Sequence, residues 1–414
     1  MSNKLQDKRI LKILVSNAFL RAGRIVFKLF LNLYIWKQTE GDIKFLALFN
    51  IIYLTFHGAT FIGFSSIVKQ SSRRNLSHII SILGYIIIYS IIIFLGPKII
   101  DYAFLFAMIL GFFNGIYWIN YHTNAFEFTN FKNRGNFEGI KNTLQILVGI
   151  IVPSLIGFII TFDFFSLGYE IAFTIGVLFL IVTLFTGLEK FEEREKEKTY
   201  FVDTFKKCVK DKDIFRSLYT YTLSGFSYSN TLLEVLIPVI IFSRVGRELD
   251  VGLIVSVFSL ISMGGAYLFG RFVNYTYYRG TIIVSGILYA LCLWGFIAFP
   301  YTSTMIIFSS LFNFFLVFFN LPQKVISDNV LHKIKDYKNR RVEYMVVREV
   351  FLFVGRISGF FLLYCIDSLD VNKVKYIFYM MIFLTFIAVY SLSRIDLDRV
   401  EKDLKKDEKD FIPD

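Results

Sequence analysis

The chain has 414 residues, of which 55% are hydrophobic, 18% aromatic and 19% charged, with a mean hydropathy of +0.57. A soluble domain carries roughly 25% charged residues. The apolar excess here falls in runs of about 20 residues, the length of a bilayer-crossing helix, which excludes a soluble enzyme, a disordered or collagen-like chain, and an outer-membrane barrel built on short alternating strands. The formal charge of +12 reflects Lys and Arg gathered in one set of loops rather than a nucleic-acid surface.

Taken in chain order, the hydrophobic runs predict an all-α integral membrane protein of twelve transmembrane helices. They fall at 10–36, 43–66, 76–95, 100–122, 139–162, 167–187, 214–243, 250–273, 280–299, 303–323, 343–366 and 373–393. Twelve spans of about 22 residues leave only about 150 for loops, one linker and tails. Loops that follow even-numbered spans carry thirteen Lys and Arg residues, among them Lys69, Arg73, Arg74, Lys132, Arg134, Lys338 and Arg340. Loops that follow odd-numbered spans carry seven: Lys37, Lys44, Lys98, Arg244, Arg247, Lys373 and Lys375. The excess places the even-side loops and both termini in the cytoplasm of a multi-pass protein of the cytoplasmic membrane.

The spans divide into an N-terminal six-helix half (1–188), a cytoplasmic linker (189–212), a C-terminal six-helix half (213–393) and a charged cytoplasmic tail (394–414). In the linker, Phe201, Phe205, Cys208 and Val209 recur at helical spacing beside lysines, which predicts a short helix on the inner membrane surface. The cysteines Cys208, Cys292 and Cys365 are widely spaced and odd in number, so neither a disulfide framework nor a paired-cysteine metal site is expected.

The chain repeats itself at one ungapped offset of 206 residues. Gly58 falls on Gly264, Arg73 on Arg279, Phe112–Asn114 on Phe318–Asn320, Lys132–Arg134 on Lys338–Arg340, and Gly149 on Gly355. The second half therefore repeats the first in the same order, giving two pseudo-symmetric six-helix halves. Charge agrees with this division. Spans three, nine and twelve are nearly free of it, as helices facing lipid must be, and six has only Glu170 near one end. Spans one, seven and eleven carry charge at depth.

These features resemble the major facilitator superfamily over essentially the whole chain. Its members have two six-helix halves, a cytoplasmic linker and a short basic loop between spans two and three. The loop here departs from the family pattern: Gly63 is followed by Lys69, Arg73 and Arg74 with no aspartate. The second copy keeps the spacing as Gly270, Asn274 and Arg279, with asparagine for aspartate. Gly149, Pro153 and Gly157 look like the family's glycine–proline helix. The resemblance implies transport and does not identify a substrate.

Span one carries the strongest local signal. Asn17, Arg21, Arg24, Lys28 and Asn32 are spaced four, three, four and four apart, one stripe of a helix with 3.6 residues per turn. Arg21 lies about 16 Å beyond Ile10 at 1.5 Å per residue. Charges at that depth face a water-filled cavity or opposite charge. The stripe reads as an anion-binding wall, or as charges neutralised by helix partners. The offset carries Lys28 onto Glu234 and Arg24 onto Asn230. Glu234 is thus a proton-coupling candidate or the fixed partner of Lys28. Glu349 stands between Arg348 and Arg356 in span eleven, as a structural pair or a second coupling group. Asn114, Trp118 and Asn320 are candidates to line the site, with inter-helix hydrogen bonding as the alternative, and His57 reads as an interior group or a proton relay.

No nucleotide-cradling, zincin or hydrolase motif is present. Hence no enzyme activity, catalytic residue, metal or cofactor is expected, and energy must come from a gradient or a separate subunit. The expected partners are a small-molecule substrate and membrane lipids, with no nucleic acid, for a monomer. The leading reading is a secondary active transporter of a small anionic or zwitterionic solute, working by alternating access. A flippase for an anionic lipid-linked molecule, and a non-transporting sensor or scaffold, stand as alternatives.

Overall fold

A computed structural model describes residues 3–70, 74–128, 134–163, 167–187, 200–227, 231–330, 333–334 and 340–396. Among them there is no strand; the secondary structure is helical. The helices are α1 (Asn3–Ile25), α2 (Asn32–Gln38), α3 (Ile43–Gln70), α4 (Arg74–Leu95), α5 (Ile99–Phe128), α6 (Arg134–Phe162), α7 (Gly168–Thr186), α8 (Phe201–Lys210), α9 (Lys212–Ser227), α10 (Leu233–Val245), α11 (Glu248–Phe272), α12 (Tyr278–Ala298), α13 (Thr302–Val330), α14 (Arg341–Tyr364) and α15 (Val371–Ser393). A π-helical turn, Val26–Leu31, joins α1 to α2.

Eight stretches of the described residues are long and apolar enough to cross a membrane. They contain α3, α4 with α5, α6, α7, α11, α12, α13 and α15. The helices outside this set fall short for one of two reasons, charge or length. α1 carries Lys, Arg and Asp and α14 carries Arg and Glu within their length, and α9 and α10 are each short.

Two sequence expectations need correction. The run 10–36 is not one uninterrupted α-helix, because the π turn falls at Val26–Leu31. The run 214–243 is not one helix either. α9 ends at Ser227 and α10 starts at Leu233, with a turn at Thr231–Leu232. The break follows from composition, since Ser224–Thr231 holds one glycine, three serines, a threonine and Asn230 among its eight residues, types that favour turns over helix. The freed carbonyl of Ser227 accepts from the buried Tyr289 hydroxyl of α12 at 2.8 Å, so the break is paired inside the protein.

The chain forms two compact units. Unit one contains 1–198, 233–263 and 360–369. Here α1 packs on α5, α6 and α7, and α10 packs on α2 and the π turn. Small residues set the approach. A Cβ on Gly176 of α7 would lie 2.8 Å from the Phe27 ring, and one on Gly115 of α5 would lie 2.7 Å from the His57 carbonyl of α3. Along α6, a Cβ on Gly157 would come 2.6 Å from the Glu248 carbonyl of α11, while one on Gly252 would collide with the Pro153 carbonyl. Small residues thus let α6 and α11 touch through their backbones.

Unit two contains 199–232, 264–359 and 370–414. Its α12 packs on α13 and α15, and α9 on α15, α13 and α8. Gly355 of α14 meets the Thr222 carbonyl and Gly225 of α9. Gly149, its partner in the sequence repeat, instead faces Ser259 of α11, whose Oγ would lie 2.9 Å from a Cβ added there. Equivalent glycines thus serve different seams.

In the linker, Phe201–Lys210 forms α8. Thr204 and Cys208 are buried and Phe201 and Phe205 half-buried, whereas Val202 and Val209 are exposed. Arg340 holds the helix. Its Nη1 lies 2.6 Å from Asp203 Oδ2 and donates to Thr204 Oγ1 at 3.1 Å, and its guanidinium lies 4.9 Å from the Tyr200 ring. The Tyr200 backbone N–H donates to Glu343 Oε1 at 3.0 Å. Lys207 and Arg340 hold the Asp203 carboxyl below the usual carboxylate range. Residues 189–198, Arg73, Lys132, Asn133, Asn230, Lys338, Asn339 and the tail from 397 lie outside the described residues.

Candidate functional site

The basic stripe and Glu234 meet. Lys28 Nζ donates to Glu234 Oε2, an ion pair between residues 206 apart in sequence. Both partners stand at helix irregularities. Lys28 lies in the π turn, and Glu234 lies in the first turn of α10, just after the break from α9. π turns recur at functional sites because the extra residue re-aims side chains, and the N-terminal end of a helix favours negative charge.

A polar chain holds the π turn. Asn32 Nδ2 donates to the Lys28 carbonyl, and Asn32 Oδ1 accepts from Asn50 Nδ2 of α3 at 2.9 Å. The Asn50 amide also donates to the Leu46 carbonyl at 2.9 Å. Asn32, placed by sequence on the basic stripe, therefore supports the turn.

Arg21 and Arg24 complete the cluster. Both lie within electrostatic reach of Glu234, and of Lys28 as well. Arg21 Nε is buried with no hydrogen-bond partner among the described residues. The Arg24 guanidinium lies 4.9 Å from the Trp118 ring centroid, a cation–π contact. Trp118 in turn lies 5.4 Å from the His122 ring. Three cations thus face one carboxylate. The ion pair is not sealed: the Lys28 and Glu234 side chains are 31% and 38% exposed. α10 packs on α2 and the π turn, which brings the pair together inside unit one.

The remaining candidates divide. Asn114 is buried and its amide is engaged. Its Oδ1 accepts from the Tyr85 hydroxyl at 2.6 Å, and its Nδ2 donates to His57 Nδ1 at 2.8 Å. This network ties α3, α4 and α5 together, and His57 belongs to it. Asn17 Oδ1 accepts from Gln145 Nε2 of α6 at 2.7 Å. Asn320 is half-buried on α13 in unit two. Glu349, also in unit two, is buried, with its oxygens 3.7 Å from Arg348 and 3.9 Å from Arg356. Those distances are ion-pair contacts, too long for hydrogen bonds. Arg348 also approaches Asp328 at 3.8 Å and lies 5.4 Å from the Tyr221 ring.

A second cluster escaped the sequence reading. It gathers the odd-side ends of α2, α6, α7 and α11 in unit one. Glu248, whose side chain is only 7% exposed, accepts from the Tyr169 hydroxyl at 2.8 Å and from Lys37 Nζ at 3.3 Å. The next backbone N–H, at Leu249, donates to Thr161 Oγ1 at 2.8 Å. Nearby, Lys44 Nζ lies 2.5 Å from Asp367 Oδ1. By sequence alone, Lys37 and Lys44 are loop charges. The partners of Glu248 come from helices distant in sequence, so neither spacing nor the 206-residue offset marks it.

Comparisons with known proteins fit this architecture. The chain is 23% identical over 354 residues to the uncharacterized protein YqgE of Bacillus subtilis, covering 85% of this chain and 81% of that one. It is 29% identical over 168 residues to an uncharacterized protein of the sodM 3' region of Geobacillus stearothermophilus, covering 40% of this chain and 77% of that one. Among solved structures, a D-xylose–proton symporter superposes with a TM-score of 0.69 at 11% identity, covering 95% of this chain and 98% of the other. A bacterial homologue of the iron transporter ferroportin in an inward-facing state gives 0.67 at 13% identity, with 95% and 98% covered. At these identities the structural likeness establishes the fold alone. The sequence profile of the Major Facilitator Superfamily matches residues 13–359, and the chain belongs to that family as a multi-pass membrane protein.

Proposed function

We propose that the protein is a secondary active transporter of a small anionic solute across the cytoplasmic membrane, coupled to protons through Glu234. The observation that carries this reading is the half-open Lys28–Glu234 pair inside a cluster of three cations and one carboxylate. A scaffold gains nothing from charges that are costly to hold at membrane depth. A free metal cation would be repelled by such a site, and an anion attracted. Nine apolar helices in the eight stretches, with α1–α2, α9–α10 and α14, support twelve crossings in two six-helix halves with cytoplasmic termini.

Alternating access requires a seam that closes on one side. The contacts of Glu248 with Tyr169 and Lys37, and of Lys44 with Asp367, support a structure closed on the odd, extracellular side. The reading is tested by reconstituting the purified protein in vesicles preloaded with a mixture of organic acids, amino acids and sugars, and following exchange by mass spectrometry. Exchange of anions that is lost in Arg24→Ala is expected. A protein that exchanges none of these solutes under any imposed gradient would contradict transport.

A further inference from the structure

We infer that the Glu234 carboxylate occupies the position of the substrate's own anionic group, so that one proton on Glu234 admits one monovalent organic anion to Lys28. The inference rests on the transport reading above and specifies the ligand of that site. Glu234 is a carboxylate on a short tether. It holds Lys28 Nζ directly and sits in the electrostatic reach of Arg21 and Arg24. α10 packs on the π turn and α2. The charges brought to Glu234 are Lys28 from the π turn and Arg21 and Arg24 from α1. The titratable groups of α2 turn elsewhere: Tyr34 lies on Tyr169, with ring centroids 4.8 Å apart, and Lys37 on Glu248. Anything that competes for Lys28 must therefore meet the same three cations.

Charge balance selects the ligand class. With Glu234 ionised and no solute, the cluster sums to two positive charges: three cations less one carboxylate. If Glu234 takes a proton and releases Lys28, a monoanion replaces the lost charge and the sum is unchanged. A dianion would lower it by one. A neutral solute would raise it by one, and a zwitterion would do the same while setting its ammonium among three cations. In a closed, poorly hydrated site each uncompensated charge is costly, so loaded and empty forms of equal charge meet similar barriers. The exchange is one proton and one monoanion in the same direction, with no net charge moved. The half-open pair lets a solute carboxylate reach Lys28 as Glu234 swings away.

The test needs no knowledge of the physiological solute, because a small carboxylate should fill the position Glu234 vacates. Thermal unfolding of the purified protein is followed in sodium acetate and in sodium chloride of equal ionic strength. Glu234→Gln at pH 7.5 should bind acetate at least tenfold more tightly than wild type, with a saturable rise in Tm of about 2 °C that chloride does not give. Glu234→Ala should show the same rescue, covering the case in which the glutamine variant folds poorly. Wild type should approach the variants' affinity as pH falls from 7.5 to 5.5, whereas Glu234→Gln should lose this pH dependence. Lys28→Ala added to Glu234→Gln should abolish the shift. Equal acetate affinity and equal pH dependence in wild type and Glu234→Gln, or no acetate-specific shift in either variant, would overturn the inference. Acetate binding as expected in a protein that moves no solute in vesicles would instead overturn the transport reading alone.

Discussion

Replacing Tyr169 with phenylalanine removes one hydroxyl from the odd-side seam and little else. That hydroxyl donates to Glu248 at 2.8 Å, and the carboxylate is almost fully buried. A hydrogen bond to a charged group contributes about 1.5–3 kcal/mol. Glu248 also pairs with Lys37 at 3.3 Å, whose side chain is 54% exposed. Solvent screening holds such a pair to below about 1 kcal/mol, so it compensates little. Opening the seam draws α11 away from α7 and gives this bond up, so Tyr169→Phe should shift the closed–open balance by about 2 kcal/mol, or roughly 30-fold. Ser256 of α11 is a suitable reporter: it is buried, and its hydroxyl has no hydrogen-bond partner among the described residues. With the native cysteines replaced, Ser256→Cys should react with a small hydrophilic thiol reagent about 10- to 30-fold faster when Tyr169→Phe is added. A rate within twofold of the parent, in protein that still unfolds cooperatively, would refute the seam argument.

Arg340→Ala should undock α8 by removing the charged hydrogen bond to Thr204, a loss of about 2 kcal/mol, and trypsin should then cut at Lys206 or Lys207 several-fold faster. The Asp203 carboxyl is held low in the docked state, so its contribution is present above the ordinary carboxylate range and lost only as pH falls below it. Hydrogen exchange in α8 should accordingly show no change from Asp203 between pH 5 and 8. Cys365 is exposed at the odd-side end of α14, whereas Cys208 and Cys292 are buried and burial pushes the Cys208 thiol up to about 12. A membrane-impermeant maleimide should label intact cells at Cys365 alone, and labelling only after lysis would reverse the orientation. Asn32→Leu removes the support of the π turn. If the turn reverts to α-helix, the helix rotates by about 100° per residue and Lys28 leaves Glu234, so transport should fall at least tenfold at unchanged expression.

The site was legible where a period or an offset carried it. The stripe Arg21–Arg24–Lys28 follows from helical spacing and the cost of charge at membrane depth. The 206-residue offset then set Lys28 opposite Glu234, and the ion pair joins those two residues. The π turn was not legible, because one extra residue per turn leaves no mark in an apolar run. The hydrogen bond that accompanies it, from Asn50 to Asn32, is a tertiary contact. The broken helix was legible in principle, in the small polar residues of 224–231, but the hydrophobic flanks made one span of it. Spacing also predicted α8, while the charge count read its anchor Arg340 as loop charge alone. Glu248 lay beyond reach because its partners Lys37 and Tyr169 come from helices distant in sequence and unrelated by the repeat.

Proton flux in reconstituted vesicles reads out whether Glu234 carries a proton with the solute. Vesicles containing the purified protein and an internal pH-sensitive dye are given acid outside and then a panel of organic monoanions. Anion-dependent acidification inside wild-type vesicles, insensitive to membrane potential and abolished by Glu234→Gln, is expected. Acidification of equal rate in Glu234→Gln vesicles, or movement of neutral and cationic solutes with no response to any anion, would contradict it.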